Sequence, residues 1–102
     1  MMKNILLVCS AGMSTSMLVK KMEEAAQKKQ LDVKIQAVAE AEVKDYINEV
    51  QIILLGPQVR FLLSKIQGIA DDIPVEVIDM AAYGTMNGEK VLNMALEKIT
   101  GE

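Results

Sequence analysis

The sequence contains no histidine, and this absence removes whole classes of chemistry. Without an imidazole, the chain lacks the usual general base and phosphoryl acceptor, so a self-contained Ser-His or Cys-His catalytic pair is excluded. The single cysteine, Cys9, excludes an intrachain disulfide and a thiol-based zinc site, because zinc needs several Cys or His ligands. A metal site would have to be built from carboxylates alone, and we expect neither a metal nor a cofactor.

Aromatic residues, excess basic charge and long apolar runs are also scarce. Only Tyr46, Phe61 and Tyr83 are aromatic, and eleven basic residues against fourteen acidic ones give a net charge of -3. A nucleic-acid partner is therefore not expected. No apolar run approaches the roughly 18 to 20 residues of a membrane span, and the run at residues 5–8 is too short for a signal peptide. We expect a cytoplasmic protein that does not insert into a membrane.

What is present is typical of a packed globular protein. The 102 residues are 51% apolar and 25% charged, which fits a single domain spanning residues 1–102. Two continuous apolar runs predict strands buried on both faces, and two runs with polar interruptions predict edge strands. In chain order these four strands are residues 5–8, 31–37, 52–55 and 75–78, of which the first and third are the buried pair.

Helical spacing of apolar residues separates the predicted strands. Leu18, Met22 and Ala25 form one stripe, and further stripes lie in residues 43–50, in residues 59–70 and after Asn87, which is a candidate N-cap. For the first helix the candidate caps are the hydroxyl residues Ser14, Thr15 and Ser16.

The alternation of strands and helices predicts an α/β fold with an open four-stranded parallel sheet and helices on both faces. With the second and fourth strands at the edges, the economical strand order is 2-1-3-4. Right-handed crossovers then leave the first strand in opposite directions and create a switch point between strands one and three. Open sheets of this kind bind ligands at that point, and Cys9 lies there.

The segment that follows the first strand has the composition of an anion-binding loop. Its backbone N–H groups and the dipole of the following helix favour a phosphoryl group, small residues allow close approach, and hydroxyls can donate hydrogen bonds. The predicted phosphate-binding residues are Ser10, Ala11, Gly12, Met13, Ser14, Thr15 and Ser16. Cys9 is the candidate nucleophile. The alternative is that Cys9 is a small core residue, but the loop beside it favours the nucleophile.

Two other phosphate-handling classes can be compared with this loop. The pattern Gly-Lys-Ser/Thr of nucleotide-binding loops is missing after Gly12. A cysteine phosphatase has an arginine at the position that Thr15 occupies here, and the only arginine, Arg60, is expected to be a solvated surface charge. A phosphocysteine at Cys9 is therefore not arranged for rapid hydrolysis. A Cys-dependent enzyme resembling low-molecular-weight phosphatases remains the alternative function, and a non-catalytic anion sensor is a third.

Three segments together resemble a known family. They are residues 5–17 with the loop described above, residues 54–58 with the sequence Leu-Leu-Gly-Pro-Gln, and residues 74–79 followed by Tyr83-Gly84. They are similar to the enzyme IIB component of the bacterial sugar phosphotransferase system, of the lactose/cellobiose/chitobiose class. The resemblance spans essentially the whole chain.

The resemblance implies a protein-phosphocysteine–sugar phosphotransferase. Cys9 would accept a phosphoryl group from a phosphohistidine of the IIA partner. It would pass that group to a sugar, a β-disaccharide such as cellobiose, lactose or chitobiose, held by the membrane component IIC. The donor would then supply the histidine that this chain lacks.

Three further residues are candidates for supporting the phosphoryl site. Gln58 contacts the phosphoryl group or, alternatively, caps a helix. Asp79 would repel a dianion, so a structural role is favoured unless it holds the loop through backbone N–H groups. Tyr83 follows the fourth strand at the same end of the sheet. Met13 and Met17 are expected to form an adaptable apolar patch for two partners.

Overall fold

The structure, a computed structural model, describes residues 3–9 and 13–100. This part of the chain contains four strands with helices between them. In chain order the elements are β1 (Lys3–Val8), α1 (Met13–Lys28), β2 (Val33–Val38), a first 3₁₀ helix (Glu40–Asp45), β3 (Ile52–Leu55), a second 3₁₀ helix (Pro57–Leu62), α2 (Leu63–Ala70), β4 (Val75–Val77), α3 (Met80–Gly84) and α4 (Gly88–Thr100).

The strands form one parallel sheet in the order β2-β1-β3-β4, so the predicted fold class and strand order are confirmed. Val8 is in register with Val38 of β2 and with Leu55 of β3, and Leu55 is in register with Val77 of β4. The strands are parallel and their last residues are in register with one another. The segments that follow the strands therefore meet at one edge of the sheet. This edge is called the carboxyl edge below.

The two central strands are buried on both faces, as their continuous apolar runs predict. Ile5 and Leu7 of β1 pack into a cluster with α1, α3 and α4. Leu6 and Val8 point to the opposite face and pack into a second cluster with α2 and both 3₁₀ helices. Successive side chains of a strand alternate between faces, so one short strand contributes to both clusters.

Two helical segments differ from the sequence prediction. Residues 43–50 form no α-helix but the end of the first 3₁₀ helix followed by turns. Val43 and Tyr46 are three residues apart, a spacing that suits a 3₁₀ turn as well as an α-helical one. The stripe at residues 59–70 is divided, because Val59 has non-helical angles and a regular α-helix begins only at Leu63.

Of the two predictions about helix caps, one is confirmed and one is wrong. The side chain of Asn87 accepts a hydrogen bond from the N–H of Lys90 at 3.1 Å, so its predicted capping of α4 is confirmed. α1 begins at Met13, which places Ser14, Thr15 and Ser16 inside its first turn. The prediction that one of these three residues caps the helix is therefore wrong. Within the described residues, no helix is both long and apolar enough to cross a membrane.

Candidate functional site

Cys9 is held between the two strands that flank β1. Its N–H donates to the carbonyl of Val38 at 3.2 Å, and the carbonyl of Val8 accepts from the N–H of Gly56 at 3.1 Å. The ladder therefore continues one residue beyond β1, which fixes the backbone of Cys9 at the switch point between β1 and β3. The residue is a free cysteine and 7% exposed. The backbone that carries the thiol is thus held in a defined position, and the side chain is largely buried.

The loop after Cys9 leads directly into the N-terminus of α1. Of the predicted phosphate-binding residues, Ser10, Ala11 and Gly12 lie outside the described residues, whereas residues 13–16 form the first turn of α1. Cys9 and Met13 are separated by four peptide steps, a span of at most about 14 Å. The first N–H groups of a helix have no partner within it and carry the positive end of its dipole. The start of α1 therefore lies within reach of a group carried on Cys9 and offers it a favourable potential.

Thr15 connects the start of α1 to α3, which packs on the same face of the sheet. It is 1% exposed, and its hydroxyl lies 3.3 Å from the hydroxyl of Tyr83, either of which can donate. Tyr83 is 8% exposed, and its ring also lies against Gly56, since a β-carbon there would be 3.7 Å from Cε1. Tyr83 thus contacts both the segment after β1 and the segment after β3. The side chain of Thr15 is directed towards this internal contact.

Asp79 holds the short helix on which Tyr83 lies. Its carboxylate accepts a hydrogen bond from the N–H of Ala82 at 3.0 Å, and its carbonyl accepts from the N–H of Tyr83 at 2.9 Å. Asp79 is therefore the N-cap of α3. Of the two roles considered for this carboxylate, the geometry corresponds to the structural one.

Gln58 lies at the second position of the second 3₁₀ helix and is exposed. Its Oε1 would be 2.9 Å from a β-carbon on Gly56, so the side chain folds back over that glycine. The N-cap of this helix is Gly56, and no side chain caps it, so capping by Gln58 is not observed. Gly56 leaves room for both Gln58 and the ring of Tyr83 at the end of β3.

A cleft of about 320 Å³ opens beside Cys9 on the second face of the sheet. It is lined by Cys9, by residues 39–41 after β2, and by Val59, Phe61 and Leu62 of the second 3₁₀ helix. Phe61 is 77% exposed, a large value for an aromatic side chain. No role for Phe61 was predicted from the sequence. Phe61 lies outside the apolar stripe of residues 59–70, and this feature of the sequence indicated that its side chain faces solvent.

The structure also shows whether other residues considered in the sequence are exposed or buried. Met17 is exposed, Met22 is buried in the first cluster, and Arg60 is exposed as expected. For Met13 and Ser14 the structure describes the backbone and not the side chains. Among the residues that the structure describes, no group of three or more His, Cys, Asp or Glu side chains could hold a metal ion.

Comparison with known proteins identifies close relatives across nearly the whole chain. The family described as the lactose/cellobiose-specific IIB subunit of the PTS system matches residues 4–94. The oligo-beta-mannoside-specific EIIB component of Bacillus subtilis is 46% identical over 103 residues, covering 99% of this chain and 100% of that protein. The galactose-specific EIIB component of Lactococcus lactis is 40% identical over 100 residues, covering 91% and 93%.

A solved structure gives the same result in three dimensions. The solution structure of the cellobiose-specific phosphotransferase IIB component protein from Borrelia burgdorferi superposes with a TM-score of 0.83 at 43% identity. The match covers 98% of this chain and 94% of that one. The fold and the sequence therefore point to the same family.

Proposed function

The chain belongs to the lactose/cellobiose-specific IIB family of the sugar phosphotransferase system, and on this premise we propose that Cys9 carries a phosphoryl group between two other components. A IIA component donates the group from a phosphohistidine, and a sugar held by a membrane IIC component accepts it. Proteins of this family act as phosphotransferases in sugar uptake together with other components of the system. The observation that supports Cys9 is its position as a free thiol at the switch point, four residues before the start of α1.

The donor step exchanges a P–N bond for a P–S bond. The sulfur of Cys9 attacks the phosphorus of the phosphohistidine, the P–N bond breaks, and the electron pair of that bond stays on the imidazole nitrogen. The thiol proton ends on the same nitrogen, so the products are a neutral histidine and a phosphocysteine. No imidazole is needed in this chain, because the donor brings it.

Backbone groups would hold the phosphoryl group after this step. The N-terminus of α1 supplies N–H groups and positive potential without a metal or an arginine. Position 15, where a phosphatase has its arginine, is a threonine whose hydroxyl is engaged with Tyr83. The site therefore lacks, at that position, the positive charge that stabilises the transition state of hydrolysis. A phosphocysteine can then persist until a sugar hydroxyl arrives.

We infer that the acceptor is a β-linked disaccharide such as cellobiose, lactose or chitobiose. The matching family is described as lactose/cellobiose-specific, and the relative from Borrelia burgdorferi is described as cellobiose-specific. A free thiol that must remain reduced also fits action on the cytoplasmic side of the membrane.

This function is tested by locating the phosphoryl group at each stage of the reaction. The full chain is incubated with phosphorylated general carrier proteins and a matching IIA component, and phosphate is followed by proteolysis and mass spectrometry. We expect one phosphoryl group on the peptide that contains Cys9, stable until vesicles with IIC and sugar are added. Release of inorganic phosphate by the isolated chain, or rapid hydrolysis of aryl phosphates, would instead support the alternative of a phosphatase-like enzyme.

Tyr83→Phe is expected to slow transfer while preserving the fold. The change removes one hydroxyl and keeps the ring that lies against Gly56. The Thr15 hydroxyl loses a neighbour in a buried site. Because a hydrogen bond contributes about 0.5–1.5 kcal/mol, both phosphoryl steps should slow by about two- to tenfold. The measurement is the rate of Cys9 labelling by phosphorylated IIA.

Tyr46→Phe is the matched control, since Tyr46 packs against the second cluster rather than against α1. It should label at the unchanged rate. Equal rates for the two variants would show that the contact between Tyr83 and Thr15 has no part in transfer.

A further inference from the structure

Phe61 is the large apolar side chain that borders the cleft beside Cys9. Phe61 is 77% exposed, although the neighbouring lining residues Val59 and Leu62 are buried in the second cluster. An aromatic ring left in water beside a nucleophile is a candidate contact for whatever approaches that nucleophile, because removing the ring from water is favourable.

Transfer to a sugar limits what can occupy this cleft. A hydroxyl oxygen must come within about 3–3.5 Å of the phosphorus on Cys9. The pyranose ring that bears the hydroxyl is then no more than about one ring-width from the sulfur. Whichever protein holds the rest of the sugar, the reacting ring comes close to the surface of this chain around Cys9. This argument rests on the proposed function.

The cleft has the chemistry of a carbohydrate subsite. A pyranose presents an apolar C–H face and a rim of hydroxyls, and small-molecule sites combine apolar or aromatic walls with a few polar groups. Here the apolar wall is Phe61, and Glu40 provides a carboxylate that can accept a hydrogen bond from a hydroxyl. Glu40 is paired with Lys65, which offsets its charge beside the incoming phosphoryl group. The volume of about 320 Å³ is sufficient for a single sugar ring.

We propose that the pyranose ring of the acceptor sugar packs its C–H face against Phe61 during phosphoryl transfer. The sugar hydroxyl attacks phosphorus, a P–O bond forms, and the P–S bond breaks with its electron pair left on sulfur. The hydroxyl proton ends on that sulfur, which restores the thiol. Phe61 is a contact for the sugar in this second step and has no part in the donor step.

The test separates the two half-reactions. Phe61→Ala and Phe61→Tyr are loaded by phosphorylated IIA, and the rate of Cys9 labelling is recorded. The loaded proteins are then mixed with vesicles containing IIC. The sugar probe is cellobiose, lactose or chitobiose. The one chosen is the sugar that is phosphorylated fastest when the unchanged protein is used. For Phe61→Ala we expect the KM for sugar to rise about tenfold and labelling by IIA to stay unchanged. Phe61→Tyr keeps the ring and should retain the KM of the unchanged protein.

Met80→Ala is the matched control, because Met80 is also exposed, at 64%, near the carboxyl edge but is not part of the cleft lining. It should leave the KM for sugar unchanged. The proposal is overturned if Phe61→Ala slows labelling by IIA, which would make Phe61 a donor contact. It is also overturned if the KM for sugar stays unchanged and only the KM for the phosphorylated chain, as a substrate of IIC, rises. That result would make Phe61 a contact for the IIC protein. Failure of the unchanged protein to take a phosphoryl group at Cys9 would instead refute the proposed function itself.

Discussion

Cys9→Ser is expected to abolish phosphoryl relay to sugar while the fold and the thermal midpoint remain nearly unchanged. The substitution is almost isosteric, and the backbone bond from residue 9 to Val38 does not depend on the side chain. The serine hydroxyl is a much weaker nucleophile than a thiolate, and an alkoxide is a poorer leaving group than a thiolate in the second step. The overall rate should fall about 10³-fold or more, as when the nucleophile of an enzyme is removed.

The measurement is sugar phosphorylation in the complete system, with labelling of residue 9 followed separately. A control is provided by Met80→Ala, which alters an exposed side chain near the same edge of the sheet and should relay phosphate normally. If the serine variant phosphorylates sugar at a rate comparable to that of the unchanged protein, Cys9 is not the carrier residue.

The strands were predictable because burial alone determines their pattern. A four-residue apolar run such as residues 52–55 can be placed only where both faces are covered, and this requirement also gives the strand order. Helix type was less predictable, since apolar residues three apart suit 3₁₀ and α turns equally. Residues 43–50 illustrate this ambiguity.

The position of the candidate site was predictable where one strand and one loop determine it, and less so where the site depends on contacts distant in sequence. Cys9 followed from one strand and one loop. The contact between Thr15 and Tyr83 joins residues 68 positions apart, and it depends on α3, a five-residue helix too short to show an apolar stripe. Phe61 was missed because it belongs to no stripe, although that same property leaves it exposed beside Cys9.

The close approach of α1 and α4 gives the prediction with the largest effect on stability. Gly88 is buried at the first position of α4, and a β-carbon there would be 2.5 Å from the backbone nitrogen of Met22 and in collision with the carbonyl carbon of Lys21. These are backbone atoms inside α1, which cannot turn aside as the end of a side chain can. Gly88→Ala must therefore push the two helices apart and loosen the cluster around Met22 and Leu92.

Overpacking of this kind costs about 3 kcal/mol or more when backbone must move. For a chain of this length, the thermal midpoint should then fall by about 12 °C or more. Gly68→Ala is the matched control, because Gly68 is exposed in α2 and no atom lies within 4 Å of its β-carbon position. That change should raise stability by about 0.5–1 kcal/mol, since alanine favours a helix. The midpoints are measured by circular dichroism, and similar midpoints for the two variants would show that α1 and α4 are not packed through Gly88.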